Sequence, residues 1–360
     1  MEIISRAINE QVFPGAVVLV SKEGDIPIFE AYGEANIFSK SKMVKNTIFD
    51  MASLTKPIAT TVSIMKLVQI GKLDINDRIE NILNEFKSTE KDNITVKNLL
   101  NHTSGLPAHR PYYLNLLNIP FNKRKEKLKE FILKEPLINE IGKLSLYSDI
   151  GFMLLQWIIE EISMIPLDKF VKEAIYSPLG IFDLFYQRFN ENLNIDSDNK
   201  NLNFAATEFC PLRNIIMDGL VHDENAYSIG GVAGHSGIFG TASDLHKLLL
   251  EILSCYHGKT SKVFDKKIIH EFLSKDFKFE RTLGFDVPSK SGSSSGKYFF
   301  PKTVGHLGFT GTSFWMDLER SIIIILLTNR VHPSRDNNKI KAFRPIFHDY
   351  IMEFLSMKTR

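Results

Sequence analysis

The chain has 360 residues, 44% hydrophobic and 24% charged, with 27 Phe, an ordinary globular composition with ample material for a large core. A formal net charge of +2 is close to neutral at this length and offers no electrostatic footprint for nucleic acid or anionic lipid.

In chain order, residues 1–12 read as a helix. Glu2 and Arg6 sit among apolar residues, and no basic stretch precedes an apolar run. Residues 1–8 therefore resemble the first turns of an amphipathic helix more than a signal peptide, and a soluble, cytoplasmic protein is the default expectation. Pro14-Gly15 marks a turn before a buried strand at 16–20. Residues 22–25 look like a hairpin turn and 26–32 like the partner strand.

After Ser53 the period becomes helical, with Ile58, Val62, Met65 and Val68 on one face and Gly71 placed to end the helix. Pro57 falls in the first turn, where its missing N–H costs nothing. Much of 93–180 is helical in pattern, and 151–162 is a strong apolar helix carrying Trp157. Residues 187–203 are polar and Asn-rich, which suggests a surface loop. Thr241 and Asp244 resemble a helix N-terminus ahead of the apolar stripe Leu245, Leu248, Leu249 and Ile252.

Residues 289–297 are rich in Ser and Gly and read as a loop. Strand character returns at 312–316 and is clearest at 322–328, a continuous β-branched run suited to a central strand. The tail, 340–357, reads as a closing helix. The longest apolar run, 322–327, is far too short to span a membrane, which takes about 20 residues. Cys210 and Cys255 lack CxxC spacing and read as two free, buried thiols.

This order predicts an α+β fold of one catalytic domain, 1–360. One lobe, about 1–56 and 281–360, pairs the terminal strands into an antiparallel sheet flanked by helices. The other, about 57–280, is mostly helical. A cleft between them is where a ligand site is expected.

Three segments carry chemistry together. In Ser53-Leu54-Thr55-Lys56 the serine and lysine are three apart at a helix start, so the amine can reach the hydroxyl. A serine needs an adjacent base to be a good nucleophile, and a buried lysine whose pKa is lowered can serve as one. In Tyr147-Ser148-Asp149 a phenol beside an ammonium has its anion favoured and could take the serine proton; the alternative is a core tyrosine followed by a helix-capping Asp149. In 306–312, His306-Leu307-Gly308-Phe309-Thr310-Gly311-Thr312, the Phe309 N–H could pair with the Ser53 N–H as an oxyanion hole; the alternative is a glycine-rich bend with a satisfied histidine.

In this order and at these separations the three segments resemble the serine β-lactamase and penicillin-binding protein superfamily, specifically its class C β-lactamase and esterase branch. The motifs there are S-x-x-K, then Y-x-N, then K-T-G or H-x-G. The flanking text at 49–53, 99–107 and 305–313 is also similar, and the resemblance covers roughly 10–330. It implies a β-lactamase/transpeptidase-like fold. Ser53 would be the acylated nucleophile, with Lys56 and Tyr147 as the base system. The oxyanion and substrate-binding residues would be Asp149, His306, Gly308 and Phe309. No metal or cofactor is implied.

The chain departs from the branch at two places. Asp149 stands where an amide is usual, and an ionised carboxylate cannot donate to a substrate carbonyl. It could instead pair with Lys56 or hold a cationic substrate group. His306 stands where lysine is usual and would be a cation only below its pKa, about 6.5 unperturbed. Both changes favour a small-molecule ester or amide lacking a carboxylate over a β-lactam or a D-Ala-D-Ala peptide.

The expectation is therefore a serine hydrolase, esterase-like, with a DD-peptidase or weak β-lactamase as the same-class alternative. Acyl transfer to an alcohol or amine would use the same residues. A catalytically poor ligand-binding relative is the alternative of another class. Which of Lys56 and Tyr147 is the acylation base stays open. Residues 221–237 form a polar turn and a glycine-rich loop, expected to be either a cleft wall or an ordinary structural loop. His222, Asp223 and His235 match no zinc spacing.

Overall fold

Two runs of alternating side chains build the centre of the molecule. The computed structural model describes residues 1–192, 202–276 and 278–357. Its strands are β1 (Gly15–Lys22), β2 (Asp25–Asn36), β3 (Ser41–Lys42), β4 (Phe49–Asp50), β5 (Leu184–Tyr186), β6 (Phe209–Cys210), β7 (Ile215–Ile216), β8 (Ile238–Gly240), β9 (Thr303–Leu307), β10 (Ser313–Asp317) and β11 (Ile322–Thr328). The helices used below are α1 (Glu2–Asn9), α2 (Val62–Gln69), α3 (Asp149–Ser163), α4 (Ala242–Tyr256) and α5 (Ile340–Met357).

The main sheet has six strands in the order β3-β2-β1-β11-β10-β9. Every neighbouring pair is antiparallel, and β1 lies along β11 from Ala16 opposite Thr328 to Lys22 opposite Ile322. The terminal parts of the chain thus meet in one sheet, as their strand patterns predict. The hairpin between β1 and β2 turns through Glu23 and Gly24 at φ 55° and 97°, the left-handed pair that matches strand twist. β2 runs on to Asn36, four residues past the expected end at 32.

Strand β11 is apolar from Ile322 to Leu327 because both faces of the sheet are covered. Val17, Leu19, Ile323, Ile325 and Leu327 join a core with Met65, Leu155, Leu248 and Ile252 from α2, α3 and α4. Ala16, Val18, Val20, Ile324 and Leu326 face the other way, onto Ile4 of α1 and Phe343, Phe347 and Ile351 of α5.

Several sequence expectations are met at residue level. Thr241 accepts a hydrogen bond from the Asp244 amide, and Gly71 takes φ +70° just past α2. Residues 289–297 form no regular element, and Cys210 and Cys255 are free and buried. Among the described residues no single helix is long and apolar enough to cross a membrane. Most of the Asn-rich loop expected at 187–203 lies outside the described residues, which omit 193–201.

The segment 57–280 is mostly helical, as expected, and also carries short strands. It contributes β5 and β8 to a three-stranded sheet with β4, and β6 and β7 to a two-stranded one. Within it α4 packs on β1 and β11, because the apolar stripe of α4 needs a sheet face to bury it. The cap of α3 is not Asp149: the Ser148 hydroxyl accepts from the Gly151 amide, which leaves the Asp149 carboxylate for other partners.

Candidate active site

From residue 51 to 65, only Ser53 is not buried. The chain around it is not one smooth helix. Ala52–Leu54 is a 3₁₀ turn, Lys56–Thr61 a π turn, and α2 follows. Pro57 has no N–H to return to the Ser53 carbonyl, so the backbone widens there. In the tight first turn residues three apart lie nearly over one another, and the Lys56 Nζ sits 3.0 Å from the Ser53 Oγ. Ala52, just before the serine, has φ +48°, a left-handed conformation that strains a residue with a Cβ. The buried Asp50 carboxylate holds this turn: it accepts the Ala52 amide at 2.8 Å and the His222 amide at 2.7 Å.

Lys56 is wholly buried, and its ammonium has three acceptors. These are Ser53 Oγ, Asp149 Oδ1 at 2.7 Å and the His235 carbonyl at 3.1 Å. An ammonium has three N–H groups to match them; a neutral amine has two. Burial alone would push the Lys56 pKa down, but the charges of Asp149 and Tyr147 outweigh it and raise it above the ordinary value. This corrects the expectation of a lysine made basic by a depressed pKa. A carboxylate, Asp149, stands 2.7 Å from the ammonium and favours its charged form.

Tyr147 lies beside the same ammonium, its ring centroid 4.8 Å from Nζ. Burial raises the phenol pKa, and Lys56 pulls it part of the way back. The ring packs on His102 at 4.6 Å between centroids. For Asp149 burial opposes ionisation, but Lys56, His109 and His235 hold the carboxyl below its usual range. His109 Nδ1 stands 3.6 Å from Asp149 Oδ2, and that contact raises the histidine pKa despite partial burial.

These groups open into a cavity of about 370 Å³ lined by Ser53, His109, Tyr147, Asp149, Phe309 and Arg335, with Ala52, His222, Asp223, Glu224 and Ser236 completing the wall. The 221–237 segment is thus part of the cavity wall. His235 lends its carbonyl to Lys56 and its Nε2 to Asp223 at 2.9 Å. Among the described residues no His, Cys, Asp or Glu cluster could hold a metal ion. Neither the Ser53 nor the Phe309 amide donates to a protein acceptor among the described residues. Both belong to residues that line the cavity.

His306 and Gly308 are placed differently. His306 lies beside the site, 6.0 Å from the Tyr147 ring, but it is 2% exposed and absent from the cavity wall. Its Nδ1 is 3.0 Å from the Leu307 carbonyl, its Nε2 faces Asp286 at 4.0 Å, and burial lowers its pKa. A buried imidazole of this kind cannot act as the substrate-facing cation that its position in the motif suggests. Gly308 serves through its size, since a Cβ there would sit 2.0 Å from Thr312 Oγ1.

Asp50, His109, the His235 carbonyl and Arg335 were not singled out from the sequence for this site. Asp50 stands in the motif flank, yet nothing local says that its partner amide is 172 residues away.

Gly234 shows how closely the wall is fitted. A Cβ there would lie 2.2 Å from the Phe152 carbonyl, while its amide bonds Gln156 and its carbonyl accepts from Thr60. Gly234→Ala should destabilise the fold by about 1–3 kcal/mol through overpacking. Urea unfolding should show a lower midpoint with an unchanged slope; an unchanged midpoint would mean the wall is looser than its contacts imply.

Residues 2–344 match the family model described as Beta-lactamase. The chain is 32% identical over 352 residues to a "Putative D-alanyl-D-alanine carboxypeptidase" of Salmonella heidelberg (strain SL476), covering 91% of this chain and 81% of that one. The protein of the same name in Salmonella typhi matches at the same identity and coverage. Solved structures with this fold include EstCE1, "a hydrolase with promiscuous acyltransferase activity", at TM-score 0.71 and 20% identity over 96% of this chain and 97% of that one. A class C beta lactamase from Rhodobacter sphaeroides superposes at TM-score 0.72 and 15% identity over 97% and 98%. The octameric penicillin-binding protein homologue from Pyrococcus abyssi does so at 0.72 and 20% over 96% and 76%.

Proposed function

The chain belongs to the Beta-lactamase family of serine hydrolases, and from that premise we propose that it cleaves a small ester or amide through an acyl-enzyme on Ser53. The observation that carries the reading is the grouping at one cavity of a partly exposed serine, the Lys56 ammonium 3.0 Å from its oxygen, and two amides without protein acceptors. The Ser53 Oγ attacks the carbonyl carbon. The Ser53 and Phe309 amides receive the developing oxyanion. Lys56 and Tyr147 act as one coupled unit. Lys56 stays charged throughout; as Oγ attacks, its proton passes to the Tyr147 phenol oxygen while the phenol's own proton passes to the leaving group, so the phenol ends neutral, as it began. Water then resolves the acyl-enzyme.

The cavity favours a substrate without a carboxylate. The Arg335 guanidinium on its wall already faces Glu208 and Glu224, and His109 faces Asp149. His306 lies under the wall rather than on it. A D-alanyl carboxypeptidase is the second reading, favoured by the name of the relatives at 32% identity.

Intact-mass spectrometry and turnover with a fluorophosphonate, a p-nitrophenyl ester, a penicillin and a D-Ala-D-Ala peptide separate the two. We expect an adduct with the phosphonate, turnover of the ester, and neither adduct nor release with the last two. D-Ala release would instead establish the peptidase reading. No adduct with any probe would overturn the acyl-enzyme.

A further inference from the structure

We propose that Arg344 is a positioning residue for the oxyanion site, holding the Gly308–Phe309 peptide so that the Phe309 N–H faces the cavity. The inference rests on the acyl-enzyme reading above. A trans peptide is planar, and its C=O and N–H point in opposite directions. Whatever grips the Gly308 oxygen from behind therefore aims the Phe309 N–H in front.

The Arg344 Nη2 is 3.3 Å from the Gly308 carbonyl and 2.8 Å from the Thr312 carbonyl, both of which accept from it. Arg344 comes from α5, on the far side of the sheet from the cavity, and is only 6% exposed. Its Nε has no hydrogen-bond partner, and no carboxylate pairs with the guanidinium among the described residues. Burial lowers its pKa to about 9. A charge stripped of water, facing carbonyls and the like charge of Arg330 but no carboxylate, is costly. An apolar side chain would fill the space without that cost, so the charge is best explained by what it does to those carbonyls. A cation on an amide oxygen also polarises the amide and strengthens its N–H as a donor.

The next carbonyl is held in the same way. Arg330 donates to the Phe309 oxygen through Nε at 2.9 Å and Nη2 at 2.5 Å, with its guanidinium 4.6 Å from the Phe309 ring centroid. Two hydroxyls then tie the loop to the serine turn: Thr310 Oγ1 donates to the Asp50 carbonyl at 2.7 Å and Thr312 Oγ1 to the Met51 carbonyl at 3.1 Å. The two oxyanion amides, from segments 256 residues apart (309 against 53), are thereby set relative to one another.

The test uses the full chain with Arg344→Met and Arg344→Lys. Active sites are counted by fluorophosphonate labelling, and p-nitrophenyl acetate turnover is expressed per labelled site beside thermal melting. Removing an oxyanion donor outright costs about 10²–10³ in kcat; loosening one should cost less. We expect Arg344→Met to lose about tenfold in kcat per labelled site with KM within about twofold, and Arg344→Lys to recover part of that loss. An unchanged kcat per site with a lowered melting temperature would make Arg344 a brace and overturn the proposal, as would failure of both variants to fold. Failure of the wild-type chain to label is a different result, which removes the acyl-enzyme premise itself.

Discussion

Ser53→Ala is expected to abolish phosphonate labelling and to cut ester turnover by roughly 10⁴- to 10⁶-fold, because Ser53 is the cavity-lining serine whose oxygen lies 3.0 Å from the Lys56 ammonium. The fold should survive nearly unchanged. Ser53 is partly exposed, and the Lys56 ammonium keeps its other two acceptors, Asp149 and the His235 carbonyl. Intact mass after labelling, turnover and a thermal melt on the same sample separate the two effects. A labelled Ser53→Ala protein would place the nucleophile elsewhere. A Ser53→Ala protein that keeps wild-type turnover would end the acyl-enzyme reading.

Lys56→Met should lose activity as severely and, unlike the serine variant, lose stability. The lysine side chain is fully buried and the Asp149 side chain is 19% exposed. Removing Lys56 leaves the Asp149 charge paired only with His109 among the described residues, and breaking a buried pair in this way costs up to about 3–5 kcal/mol. The pH dependence carries a sign. In the wild type the Asp149 pKa is depressed, so its contribution is present above the unfolded value, about 3.9, and fades as the pH falls through the folded value.

In Lys56→Met only His109 and His235 are left to offset burial, the largest influence on that carboxyl, and we expect its pKa to rise. The carboxyl then opposes folding increasingly as the pH rises above about 4. The gap between the two proteins should thus be larger at pH 7 than at pH 4. Urea unfolding at both values checks this, and an equal gap would show that the pair is not what stabilises the site. For Lys56 itself the raised pKa means that its contribution holds below the unfolded value, about 10.4, and is lost only as the pH climbs through the folded one.

Much of the frame was legible because it follows from local periodicity. The continuous run in β11 marks a strand with both faces covered, and the stripe of α4 marks a helix that must find an apolar face. The serine and lysine, three residues apart, could be paired on spacing alone. What spacing misjudged was the state of the lysine, since its pKa depends on which charge stands opposite, and Asp149 is 93 residues away. His306 was misjudged for the same reason: sequence supplies its place in a motif, but whether its ring meets solvent depends on how β9 lies against Tyr147 and Asp286.

By itself, then, the sequence determined the strand and helix pattern, the serine and lysine proposed to carry the chemistry, and the family to which the chain belongs. These rest on residue type and short spacing, which survive without the fold. Only the tertiary structure decided that Asp149 serves Lys56 rather than a helix end, that residues 221–237 line the cavity, and that two buried arginines grip the carbonyls beside Phe309. Burial and long-range charge pairing set those roles, and neither has a period along the chain.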